Sequence, residues 1–247
     1  MNELSLFAAI IIPAYKEQEA LPRLIEGIVS SELGPVHLVI VDDSPPEIAT
    51  RTRFLCKSAL LKSRFHFHFL TRGVKSGRGS AVRYGLDYAL NLQPRLEYFL
   101  EMDADGSHQI EDVKKLLDST LSNHVAIGSR YLHGSQILGW PTYRRYFSKV
   151  LNWLIPRLLN LKVVDITNGL RLYPRNAAEI LATSKQETVG FIYLSEQLLT
   201  LKSAGFQIIE LPTTFINRTL GKSSVSLRSL FQSLVEVWIL VRKSRCL

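Results

Sequence analysis

Short apolar runs that alternate with helix-period segments through the first half of the chain predict a doubly wound α/β fold around a mostly parallel sheet. Two further observations agree. Acidic residues, Asp42-Asp43 and Asp103-Ala104-Asp105, follow predicted strands, and such sheets bind ligands at the carboxyl ends of their strands. A basic, Gly-containing stretch, Lys75-Ser76-Gly77-Arg78-Gly79, enters a predicted helix, where backbone N–H groups suit phosphate.

Taken in order, residues 7–13 read as a strand closed by Pro13, and 17–30 as a helix. The second strand is 36–41, followed by a helix to about residue 61; the third is 65–70, where His66 and His68 alternate with apolar residues. The loop 72–79 opens a helix at 80–90, and strands at 98–102 and 125–129 bracket a helix at 110–121. Beyond residue 130 the pattern changes. Residues 143–161 are amphipathic, interrupted at Pro156, with Phe147, Val150, Leu151, Leu154 and Leu158 on one side. A loop-to-strand segment at 165–173 precedes helices near 175–183 and 194–204, then strands at 206–211 and 213–218 separated by Pro212. The tail, 226–241, is helical, with Leu227, Leu230, Phe231, Leu234, Trp238 and Val241 in one stripe.

With 247 residues the chain suits one large domain, or a domain with an appended segment, around a substantial core. A net charge of +8 and a pI near 9.5 imply anionic partners. The basic residues are dispersed and match no nucleic-acid-binding motif, so phosphorylated substrates and an acidic membrane surface are preferred to nucleic acid. Cys56 and Cys246 stand far apart without metal-ligand spacing and fit free thiols in a reducing compartment. Residues 1–15 lack a basic leader and a small-residue cleavage site, so a buried strand is expected rather than a signal peptide. No stretch reaches the ~20 apolar residues of a spanning helix, and the chain is not expected to cross a membrane by itself.

Asp103 and Asp105, spaced i, i+2 where a strand gives way to a loop, project to the same side. One divalent cation can take oxygens from both and complete its shell with substrate phosphates, which would neutralise a diphosphate leaving group. A solvated Asp-Gly turn is the plainer alternative. Asp42 suits a ribose hydroxyl or base N–H; alternatively Asp43 or Ser44 caps the next helix. The 75–79 stretch lacks P-loop spacing and reads equally as a plain loop. Arg130, Arg144, Arg145, Arg171 and Arg218 follow or close over strand ends. Guanidinium groups bind phosphate bidentately, so their convergence would make a phosphate site, whereas each alone reads as a surface residue. His108 could touch the metal or diphosphate, or start a helix; His66 and His68 read as packed or edge residues. Nothing argues for acyl transfer.

The segments Ile12-Pro13-Ala14-Tyr15-Lys16-Glu17, Val41-Asp42-Asp43-Ser44, Lys75-Ser76-Gly77-Arg78-Gly79 and Asp103-Ala104-Asp105-Gly106-Ser107-His108 together resemble family-2 inverting glycosyltransferases. Gly128-Ser129-Arg130-Tyr131, Gly139-Trp140, Tyr143-Arg144-Arg145, Asp165-Ile166-Thr167-Asn168-Gly169-Leu170-Arg171 and Phe215-Ile216-Asn217-Arg218 narrow the likeness. They are similar to the dolichyl- and polyprenyl-phosphate sugar synthases of the dolichol-phosphate mannose synthase type, over residues 8–225. The resemblance implies a glycosyltransferase-A type, Rossmann-like fold and a GDP- or UDP-sugar donor, with mannose or glucose as the sugar. It also implies Mg²⁺ or Mn²⁺ and a polyprenyl or dolichyl phosphate acceptor. By motif position, Pro13, Tyr15, Glu17, Asp42, Lys75 and Asp103 would bind the donor. Asp103, Asp105 and Ser107 would hold the metal. Arg130, Arg144, Ser148 and Arg218 would hold the acceptor phosphate, and Asp103, Asp105, Arg130 and Arg144 would carry catalysis.

Two departures stand out. After Asp43 the chain reads Ser-Pro-Pro-Glu, one residue tighter than the family's usual Asn-Ser-Pro-Asp-Gly, and after Arg218 a Gly-x-Ser-Lys pattern becomes Gly221-Lys222-Ser223-Ser224. On this reading residues 1–225 are catalytic and 226–247 form an amphipathic, membrane-interfacial helix. The expected location is cytoplasmic, peripheral to the cytoplasmic face of a membrane, with a membrane partner subunit left open. Two alternatives are a soluble family-2 enzyme acting on a saccharide or protein hydroxyl, and a nucleotide-sugar-binding subunit without turnover. Packing on the core is the alternative for both amphipathic stripes: 143–161 reads equally either way, while for 226–241 the membrane interface is preferred.

Overall fold

A computed structural model of the chain describes residues 7–61, 63–119, 123–188, 192–217 and 227–244, with side chains in the last segment from residue 235. The elements are β1 (Ala8–Ala14), α1 (Ala20–Ser30), β2 (His37–Asp42), α2 (Pro46–Ala59), β3 (His66–Thr71), α3 (Arg78–Leu90), β4 (Tyr98–Glu101), α4 (Ile110–Asp118), β5 (His124–Ser129), β6 (Gln136–Leu138), α5 (Thr142–Leu158), β7 (Arg171–Pro174), α6 (Arg175–Thr183), α7 (Tyr193–Ser203), β8 (Gln207–Pro212), β9 (Thr214–Ile216) and α8 (Leu227–Ser244). Arg218 and the 221–224 variant motif lie outside the described residues.

Seven strands form one sheet in the order β3-β2-β1-β4-β7-β5-β8. All its pairs are parallel except those of β7, which runs antiparallel between β4 and β5. This is the mixed α/β sheet the alternating pattern predicts. The central strands β1 and β2 are apolar throughout because both faces are covered by helices. Alternate residues serve opposite sides: Ile11 and Val39 join one core cluster with α3, α6 and α7, while Ile10, Ile12 and Leu38 join another with α1 and α4. Gly85 lets α3 approach β1, since a Cβ there would stand 2.6 Å from Ile11 Cγ2.

Several boundaries differ from the sequence reading. Lys16 has φ +60°, so the backbone turns sharply after β1 and α1 starts at Ala20 rather than near Glu17. Pro156 does not break α5, which runs two residues beyond it to Leu158. The break between β8 and β9 falls at Thr213, which donates its N–H to Ser129 O at 3.0 Å. β6 is a three-residue strand without a sequence signal, and pairs with β9 in a separate two-stranded sheet.

α5 buries Ser148, Asn152, Ile155 and Pro156 and leaves Tyr143, Tyr146, Phe147, Val150 and Trp153 exposed. In α8, Leu240 is fully buried in the α3/α7-side core while Val235 and Trp238 face outward; the Leu227, Leu230, Phe231 and Leu234 part of its stripe lies outside the described side chains. Lys243 ties its end to Glu196 of α7 at 2.8 Å. No helix among the described residues is long and apolar enough to cross a membrane.

Candidate active site

The carboxyl ends of β1, β2 and β4 open onto one rim, and the loop after β4 carries the acidic motif. Asp103 does not stand alone there. Arg78, the first residue of α3, approaches Asp103 Oδ1 with Nε at 2.7 Å and Nη2 at 2.6 Å. The same guanidinium reaches Glu101 through Nη1 and the Gly169 carbonyl at 3.4 Å. His108 Nε2 lies 3.3 Å from Asp103 Oδ2. Burial opposes ionisation of Asp103, but Arg78 and then His108 outweigh it and hold the carboxyl well below the usual range. Gly169 lets this pair lie close against the backbone, since a Cβ there would meet Arg78 Nη2 at 2.5 Å and the guanidinium would have to shift.

Glu101 is completely buried and accepts hydrogen bonds from Tyr173 Oη at 2.9 Å and from Tyr193 Oη. Burial, reinforced by Glu101, pushes the Tyr173 phenol well above its ordinary value, so it remains a donor. The acidic loop is therefore rooted in a buried network of one carboxylate, one guanidinium and two phenols. The periodicity of Tyr98 to Glu101 identifies the strand but carries no sign of this network.

Asp105 Oδ1 accepts the Ser107 backbone N–H at 3.1 Å. The Ser107 side chain is buried, and its Oγ meets no partner among the described residues. Asp103, Asp105 and Ser107 thus supply hard oxygen donors on one short loop, a chemistry that fits Mg²⁺ or Mn²⁺. No group of three or more His, Cys, Asp or Glu side chains that could hold an ion occurs among the described residues, so a cation here would complete its shell with water or substrate oxygens.

On the donor side, Pro13, Tyr15 and Glu17 are half-buried at and after the end of β1. Lys75 Nζ stands 4.6 Å, and Lys16 Nζ 5.4 Å, from the centroid of the Tyr15 ring. Buried Asp42 accepts the Ser44 N–H at 2.8 Å; burial raises its pKa against the opposing pull of Ser44. The helix-capping alternative is not realised, since α2 begins after Pro45 with no side-chain cap. Asp43 instead grips Arg72 at 2.6 and 2.7 Å and accepts the Ser76 N–H at 2.9 Å, fixing the loop that leads into α3.

The arginines divide into separate roles. Arg130, after β5, pairs bidentately with Asp165 at 2.7 Å twice, and donates to Thr167 Oγ1 at 2.7 Å. Burial works against its charge, but Asp165 more than compensates, and Asp103 adds to the same effect, placing Arg130 in the electrostatic field of the acidic loop. Arg144, in the first turn of α5, donates to Asn217 Oδ1 at 3.0 Å and lies 4.2 Å from the Trp140 ring centroid. Ser148 sits one turn further along α5, its Oγ 3.3 Å from Asn152 Nδ2, and Asn152 reaches Thr167 at 3.1 Å. Arg145 turns instead to the Ile137 carbonyl at 2.9 Å. Arg171 is fully buried and donates to the carbonyls of Asn168, Leu194 and Ile166. It braces the loop before β7 and cannot reach a phosphate from there, so the grouping of all five arginines does not survive.

An aromatic column joins the acidic loop to the arginines. His108 meets Phe215 edge-on at 5.4 Å, and Phe215 meets Trp140 at 5.3 Å. The Ile216 N–H donates to Ser107 O at 3.0 Å, so β9 lies against the acidic loop. His66 and His68 form a separate cluster with His37, whose ring stacks on His66 at 4.4 Å.

Residues 9–181 match the family Glycosyl transferase family 2. The chain is 34% identical over 229 residues to the polyprenol monophosphomannose synthase of Mycolicibacterium smegmatis, covering 92% of this chain and 84% of that protein. It is 33% identical over 224 residues to the undecaprenyl-phosphate mannosyltransferase of Micrococcus luteus, covering 87% and 86%. Against the dolichol-phosphate mannosyltransferase of Pyrococcus furiosus it is 29% identical over 236 residues, 95% of this chain and 63% of that one. In fold it is similar to Mycobacterium tuberculosis glucosyl-3-phosphoglycerate synthase, with TM-score 0.61 at 16% identity over 96% of this chain and 80% of that one. A structure of that enzyme in complex with Mn²⁺, UDP and phosphoglyceric acid matches with TM-score 0.60 at 14% identity, over 96% of this chain and 78% of that one. With the family matched over most of its length and mannosyltransferase relatives aligned nearly end to end, this chain is a glycosyltransferase and belongs to glycosyltransferase family 2.

Proposed function

We propose that this enzyme transfers a hexose, mannose first among them, from a GDP- or UDP-sugar to a polyprenyl or dolichyl phosphate with inversion at the anomeric carbon. The reading is carried by one juxtaposition. The Asp103–Asp105–Ser107 loop and the Arg130/Arg144 pair are joined by the His108–Phe215–Trp140 column. The printed functions of the relatives, which concern mannose and polyprenyl-type lipids, support the same substrate class.

Pro13, Tyr15, Glu17, Asp42 and Lys75 would cradle the nucleotide, and Asp103 would orient the donor, its carboxylate kept ionised by Arg78. Asp105, with Asp103 and Ser107, would hold Mg²⁺ or Mn²⁺, which supplies positive charge to the departing diphosphate. Arg130, Arg144, Ser148 and Arg218 would hold the acceptor phosphate. Its oxygen forms the new bond to the anomeric carbon as the bond to the nucleoside diphosphate breaks. A phosphate monoester is already anionic near neutral pH, so no spare base is needed. Catalysis reduces to positioning and electrostatics.

Residues 1–225 would form the catalytic unit and 226–247 the segment facing the membrane. Tyr143, Tyr146, Phe147 and Trp153 of α5 and Trp238 of α8 are exposed, and Arg157 and Arg242 stand against Trp153 and Trp238, a combination suited to the interface of an anionic leaflet. The deciding experiment incubates the protein with labelled GDP- and UDP-sugars, a short polyprenyl phosphate and Mg²⁺ or Mn²⁺. Label in the organic phase is the expected result, and label confined to water-soluble saccharide or protein would refute the acceptor.

A further inference from the structure

Trp140 has more contacts than its place in a loop requires. It is only 8% exposed. Arg144 Cζ lies 4.2 Å and Arg130 Cζ 5.1 Å from its ring centroid, so one indole carries two guanidinium groups. Like charges placed together repel, and each is held by its own partner: Arg130 by Asp165, Arg144 by Asn217. Asn217 also fixes the loop beneath the indole, donating Nδ2 to the Gly139 carbonyl at 3.1 Å and its backbone N–H to Leu138 O at 2.8 Å. Gly139 has φ +74° and a Cβ there would meet Asn217 Cβ at 3.1 Å. The approach to Trp140 is therefore built with little tolerance.

The indole N–H itself has no acceptor among the described residues, and neither do the buried hydroxyls of Ser107 in the acidic loop and Ser129 at the end of β5. A buried donor without a partner is costly; the indole lies against Arg130 and Arg144, Ser129 directly precedes Arg130, and Ser107 belongs to the acidic loop against which β9 lies. Neutral donors beside paired guanidiniums match a phosphate monoester, which offers several strong acceptor oxygens.

Resting on the functional reading above, we propose that Trp140 belongs to the acceptor-phosphate seat: its ring sets the spacing of Arg130 and Arg144, and its indole N–H donates to an oxygen of the lipid phosphate monoester. Neither the ring's platform role nor the N–H contact follows from the motifs, in which Trp140 appears without a role.

The test separates the N–H from the ring and the seat from the rest of the site. Trp140→Phe keeps an aromatic platform and loses the donor. It is expected to raise the KM for a short polyprenyl phosphate about tenfold, the loss of one charge-assisted hydrogen bond, with the nucleotide-sugar KM unchanged. Trp140→Leu removes the platform too and should raise the acceptor KM further. In a Trp153→Phe/Trp238→Phe protein, Trp140 is the sole indole, and titration with farnesyl phosphate should change its emission saturably. An unaltered acceptor KM in Trp140→Phe, or an emission unmoved by farnesyl phosphate, would overturn the inference. A wild-type protein that transfers sugar to no lipid phosphate would instead sink the functional reading itself.

Discussion

Replacing Arg78 by Met removes the cation shared by Glu101 and Asp103. Breaking a buried ion pair from one side costs about 3–5 kcal/mol, because the remaining charge stays out of water. Two features of this site place the expectation at the lower end. Tyr173 and Tyr193 continue to donate to Glu101, and the Asp103 side chain is 32% exposed, so solvent screens its share. A loss of about 3 kcal/mol follows, which at a urea m-value of about 3 kcal/mol/M moves the unfolding midpoint down by about 1 M. Far-UV circular dichroism against urea reads this directly. The double variant Arg78→Met/Glu101→Gln removes the fully buried carboxylate along with the cation and should recover part of the loss, since only the partly exposed Asp103 then stays charged. A midpoint for Arg78→Met within about 0.2 M of wild type, or a double variant no better than the single, would refute the assignment of Arg78 as the electrostatic anchor of the acidic loop. The pH dependence adds a check. Asp103 is held below its ordinary value despite burial, by Arg78 and His108. Its contribution to stability is therefore present above an unfolded pKa of about 3.9 and lost as pH falls below it, and Arg78→Met should shrink that loss.

Asp105→Ala is expected to lower transfer by at least ~100-fold, as loss of a charge-stabilising group at the leaving diphosphate does; near wild-type turnover in radiolabel transfer would contradict the metal assignment. The fold should persist in that variant, with an unchanged circular dichroism spectrum. Asp165→Asn leaves Arg130 buried without its carboxylate and should destabilise by about 3–5 kcal/mol in denaturant titration, while also impairing transfer through the displaced guanidinium. His37 is held to a pKa of about 4 by burial first and by His66 and His68 next. A histidine depressed in the folded state stabilises the neutral side: that stability is complete above an unfolded value of about 6.5 and is lost as pH falls from there toward 4. His37→Phe should flatten the stability profile across that window, and NMR titration of the wild-type imidazoles should find His37 neutral at pH 5.

The sequence by itself determined the fold class and the rim of the sheet to which Asp42 and Asp103 belong. Both faces of β1 and β2 are buried, so Ala8–Ala14 and His37–Asp42 are near-continuous apolar runs that no other element would bear. Asp42 and Asp103 mark the ends of strands, which in a parallel sheet must share one rim. Short range and strong periodicity made these legible. Only the tertiary structure decided what each charged side chain does there. Arg78, Arg130 and Arg171 carry the same group, yet one anchors Glu101 and Asp103, one pairs with Asp165 and one donates to buried carbonyls. Asp43, read as a cap, proved to be a clamp on Arg72 because β2 and β3 are adjacent strands. The inner face of α5 is partly polar, Ser148 and Asn152, and its outer face aromatic, a choice between core-packed and outward stripe that periodicity alone left open. Hydrophobic burial is a property of a segment and repeats along the chain, whereas the partner of a charge is chosen by which residues, tens of positions apart, the fold happens to bring within hydrogen-bonding reach.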